Sequence, residues 1–153
     1  MFDKLAGEYT FFKTQELNVR TLLITNMLYA MILPVIEIFV GAYIMRNTNN
    51  SSYVFTYQLS MYCGIVATSA LNGLLIKKIK ASLLYGFGII LSTVVLMAMM
   101  FFSFVGILHL SIAGFVLGAS TGFFWTNRYL LTLNATNDEN RNYFFGLESF
   151  FFS

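Results

Sequence analysis

Glu37 is the only charged side chain in the apolar run from residue 21 to residue 45. It stands about four positions past the middle of that run, roughly 6 Å along a helix. In a membrane span, a charge at the centre costs about 2.5–3.5 kcal/mol, so the carboxyl must be matched. Two roles fit. It is either a protonated acid hydrogen-bonded to a neighbouring helix, or a cavity-lining carboxylate that binds a proton or a cationic group. Pro34, one turn earlier, frees a backbone carbonyl and can kink the helix, a common feature of cavity walls. Arg128 and Glu148 are the next chemically active pair. Arg128 either snorkels to the headgroups or forms an ion pair with Glu148 across a polar turn. Other chemistry has little to work with. There is one cysteine, Cys63, and one histidine, His109, and the sequence carries no Ser-His-Asp set, metal-ligand spacing or nucleotide-binding glycine loop. An enzyme, a metal centre and a cofactor are therefore not expected.

These side chains must be positioned by helices in lipid. The 153 residues are 58% hydrophobic, 18% aromatic and only 10% charged, whereas a soluble domain carries about 25% charged residues. The surplus apolar surface must face a lipid bilayer. A net charge of +2, with its basic residues between apolar blocks, excludes nucleic acid as a partner. Continuous runs such as "IILSTVVLMAMMFF" contradict the alternation of a β-barrel strand. A span takes about 20 residues, which gives candidates at 21–45 and 53–76. The uncharged run 81–127 would reach about 70 Å as one helix, so it must fold back near Ser103, Gly106 and His109. That yields spans near 82–103 and 108–132, followed by a partial fifth at 143–153. The expected fold is an all-α membrane protein: four transmembrane helices plus part of a fifth, in a transmembrane domain over 21–153. Residues 1–20 form a cytoplasmic arm, with Phe2, Leu5, Tyr9 and Phe12 at helical spacing, which fits either an amphipathic helix in the interface or a frayed leader.

Charge placement sets the expected orientation. Lys4, Lys13, Arg20, Lys77, Lys78, Lys80, Arg128 and Arg141 fall on one side, and Arg46 alone on the other. The positive-inside bias then places the N-terminus in the cytoplasm and makes "LNGLLIKKIKAS" a cytoplasmic hairpin. Gly114, Gly118 and Gly122 recur every four residues on one face of the fourth span, and Ser60, Gly64 and Thr68 do so on the second. Small residues at this spacing let helix backbones approach closely in lipid. Asn26, Asn72 and Asn127 are candidates for interhelical hydrogen bonds, and Trp125 and Tyr129 for an interfacial belt.

The order of these features resembles the N-terminal half of a major facilitator superfamily transporter. The hairpin between the second and third helices of that family typically reads G-x-x-x-D-R-x-G-R-R. Gly73 matches its first glycine and Lys78 its first basic position, with Lys80 adding charge nearby, while Lys77 stands where the aspartate belongs and the second glycine is absent. The stretch "GFVLGASTGFFWTNRYLLTLNATNDENRNYFFGLE" is similar to the fourth helix, turn and fifth helix of bacterial members. The resemblance implies a multi-pass secondary transporter in a bacterial cell membrane, moving a small-molecule substrate by alternating access. In that setting Arg128 and Glu148 would clamp the inner gate, and Glu37 would bind substrate or a proton.

Alternating access in that family needs two six-helix halves. The expectation is therefore a truncated fragment, whose partners are the missing C-terminal helices of the same transporter. Its glycine faces would be left open to lipid or to a second copy. The alternative is a small four-span protein acting as an accessory subunit or a homo-oligomer without transport activity.

Overall fold

The computed structural model describes residues 12–101, 106–137, 141–146 and 149. Four long helices dominate: α1 (Leu17–Thr48), α2 (Ser51–Leu75), α3 (Ala81–Phe101) and α4 (Ile107–Ala135). Residues 141–146 are also helical, and there is no strand among the described residues. Each of α1 to α4 is long and apolar enough to cross a bilayer. Large apolar side chains such as Phe55, Val66, Met100 and Phe101 lie exposed on the outer faces, which water would penalise and hydrocarbon accepts. The chain is an all-α, multi-pass membrane protein. The proposed interfacial helix of the arm rests largely on residues 1–11, outside the described residues.

Local chemistry accounts for the helix ends. Helix α1 passes through Pro34 without interruption and closes at Asn49, which adopts φ 47°. Asparagine tolerates this left-handed conformation better than most residues. Asn50 then caps α2, its side chain accepting a hydrogen bond from the Ser52 backbone at 2.9 Å. A tight turn over 76–80 joins α2 to α3, with the Lys78 and Ile79 amides donating to the Leu75 carbonyl at 2.9 and 2.8 Å. Lys77, Lys78 and Lys80 are exposed in this turn.

The chain divides into two compact units, residues 1–35 with 131–153, and residues 36–130. In the first, Val19, Leu22, Leu23, Asn26, Ala30, Thr132, Thr136 and Phe144 are buried. Arg141 donates to the Thr136 hydroxyl at 3.4 Å and to its carbonyl at 3.3 Å, satisfying backbone just past the end of α4.

The second unit is organised around α4. A Cβ added at Gly114 would sit 2.6 Å from the Tyr57 carbonyl oxygen, and one at Gly122 would sit 3.0 Å from that of Ile65. Gly118 lies against the Met61 backbone between them, and Gly64 of α2 against Phe115 and Ala119. The contacts advance together along both chains, so α2 and α4 run parallel with no room for side chains between them. The glycine faces are therefore consumed inside the chain, contrary to the expectation that they wait for absent helices. Helix α3 runs the other way along α4: Gly88 packs on Ser120 and Phe124, and Tyr85 stacks on Phe124 with centroids 5.0 Å apart. Ile44, Tyr57, Met61, Met99, Leu110, Ala113 and Leu117 form the apolar core.

Candidate functional site

Polar groups inside a lipid-embedded bundle need partners, and among the described residues α4 carries more buried ones than any other helix. Ser120, Thr121, Asn127 and Arg128 are all buried on it, and Thr68, Asn72 and Ser92 are buried on its neighbours. Three of the hydroxyls are matched within their own helices. Ser120 and Thr121 donate to the Leu117 carbonyl at 2.6 and 2.9 Å, and Ser92 donates to the Ile89 carbonyl at 2.8 Å. This pattern leaves them as small packing groups.

The asparagines behave differently. The Asn127 amide donates to the Asn72 side-chain oxygen at 2.8 Å and to the Phe123 carbonyl at 2.8 Å. The Asn72 amide donates back at 3.5 Å. Both side chains are fully enclosed, so the pair fastens α2 to α4 beyond the last glycine contact.

One residue further on, Arg128 is only 3% exposed. Its guanidinium carbon lies 4.5 Å from the Trp125 ring centroid and 5.1 Å from that of Tyr129. Stacking of this kind attracts a desolvated cation to the ring face. Trp125 and Tyr129, assigned by sequence to an interfacial belt, thus also cover Arg128. Its distance in sequence from Trp125, one turn, was the available signal. Glu148 lies outside the described residues, and with it the proposed pairing to Arg128.

Glu37 occupies a different depth. It lies on the face of α1 that also carries Val40 and Ile44, which pack on the core, yet Glu37 itself is exposed. The buried phenol of Tyr57, on α2, is within electrostatic range of its carboxylate. Tyr57 is the residue that sequence reading missed here: one aromatic among many carries no local mark. Tyr57 packs on Gly114, and Arg128 lies about 20 Å further along α4. Glu37 and Arg128 therefore belong to separate places. Gly73 is exposed in α2 with nothing within 4 Å of an added Cβ, so close packing does not require it. Among the described residues no three of His, Cys, Asp and Glu gather as a metal site. Comparison with protein-family models, characterised proteins and solved structures found no match.

Proposed function

We propose that this chain forms part of a secondary active transporter of the major facilitator type in a bacterial cell membrane. In this reading the N-terminus is cytoplasmic and Glu37 is the proton- or cation-binding group. The observation that carries it is an ionisable side chain exposed within a span, on the face of α1 that also carries Val40 and Ile44. An ionisable residue inside a membrane commonly faces a bundle interior or a water-filled path. The Asn72–Asn127 pair and the enclosed Arg128 suit a rigid inner end against which such a path closes. Arg128 and Glu148 would serve there as the inner clamp.

A second reading is favoured by one feature. The small-residue faces of α2 and α4 fill each other, which suits a self-contained four-span protein acting as an accessory subunit.

Vesicles from cells expressing the protein, loaded with a pH-sensitive dye and offered cationic, sugar and peptide solutes, separate the two. The transporter reading expects proton movement with at least one solute. It also expects Glu37→Gln to abolish that movement while inserting normally. Wild-type rate and pH dependence in Glu37→Gln would remove Glu37 from the mechanism. No solute-dependent flux, together with co-purification of a second membrane protein, would favour the accessory role.

A further inference from the structure

A cleft of about 630 Å³ opens on the second unit, walled by Phe39, Val40 and Tyr43 of α1 and by Leu96, Met99 and Met100 of α3. Its volume is that of a ligand-sized cavity, about 300–1,000 Å³. Among the described residues, no charged side chain lines it. Phe39, Tyr43 and Arg46 follow at helical spacing on one face of α1. Arg46 lies in the last turn of that helix and is exposed. The face of α1 that walls the cleft thus runs on from apolar side chains to a cation in the helix's last turn.

We propose that this cleft binds an anionic phospholipid, with one acyl chain between α1 and α3 and the phosphate on Arg46. The two ends of the site match the two ends of such a lipid. Methionine and aromatic side chains adapt to a flexible chain. A guanidinium pairs with a phosphate through parallel hydrogen bonds. Tyr43, one turn below Arg46, sets an aromatic ring close to the depth where ring and headgroup meet. A second copy of the chain fits less well, because a two-fold contact across this face would bring Arg46 towards the partner's Arg46. The inference is independent of whether the protein transports a solute.

The test uses the full chain in vesicles. Phe39→Trp places an indole on the cleft wall at an exposed position. The parent chain, whose single tryptophan is Trp125, supplies the background to subtract. Brominated phosphatidylglycerol and brominated phosphatidylcholine are titrated in turn, and quenching of the introduced indole is measured. Phosphatidylglycerol should be preferred about five-fold, the worth of one cation near the surface. Adding Arg46→Gln should erase the preference, and Arg46→Lys should keep most of it. Equal quenching by the two lipids, or a preference that survives Arg46→Gln, would overturn the proposal. Weak quenching by both, as expected if a second copy covers the cleft, would overturn it as well.

Discussion

The Asn72–Asn127 pair ties two helices through side chains 55 residues apart in sequence. Hydrogen bonds between membrane helices contribute modestly, about 0.6 kcal/mol on average and up to about 1.7. Leaving one buried amide without its partner costs more than the bond itself contributes. Asn127→Ala is therefore expected to destabilise the fold by about 1–2 kcal/mol, as read by reversible detergent-induced unfolding. Replacing both asparagines by leucine should recover much of that loss, since no amide is then stranded. A double variant as weak as the singles would place the effect in packing. The sequence made it legible that Asn72 and Asn127 needed partners, because each interrupts an apolar run. That they choose each other was not legible, because pairing across 55 residues depends on how the helices meet in space. Arg128 was half legible. Its chemistry predicted an interaction, but the flanking rings of Trp125 and Tyr129 became its cover only once the helix surface was formed.

At the scale of the element, glycines of one chain divide into two kinds. Gly118 meets the Met61 backbone, where an added Cβ would fall 2.7 Å from the carbonyl carbon. Backbone cannot move aside as a side chain can, so Gly118→Ala is expected to lower stability by about 2 kcal/mol or more. Gly73 meets nothing within 4 Å. There, Gly73→Ala should be neutral or add up to about 1 kcal/mol through helix propensity. Thermal unfolding of the two variants side by side checks the contrast, and equal losses would contradict it. The four-residue spacing made the face of α4 readable, while its occupant, α2, was not. The packing of Gly88 on Ser120 and Phe124 was missed because a lone close approach leaves no periodic mark.

For the whole molecule, the four long spans followed from length and hydropathy, which is physics that depends little on tertiary detail. Most of the partial fifth expected at 143–153 lies outside the described residues. Orientation is a separate matter resting on charge: Lys77, Lys78 and Lys80 in one turn against Arg46 at the other end of α1 and α2. With Cys63→Ser removing the native thiol, single cysteines at Lys78→Cys and Asn49→Cys report the sides directly. An impermeant maleimide added to intact cells should label Asn49→Cys and spare Lys78→Cys. The reverse pattern would turn the protein over in the membrane. It would also place the Arg46 end of the lipid cleft in the opposite leaflet.

The parallel contact of α2 and α4 has a mechanical meaning. Gly114, Gly118 and Gly122 seat on Tyr57, Met61 and Ile65, three notches at one constant offset. Sliding one helix past the other by a single residue would drive side chains into backbone at every notch. The next fit comes only after four residues, about 6 Å away, and that step would strand Asn72 from Asn127. The two helices thus behave as one spar, geared rather than greased, and resist sliding along each other.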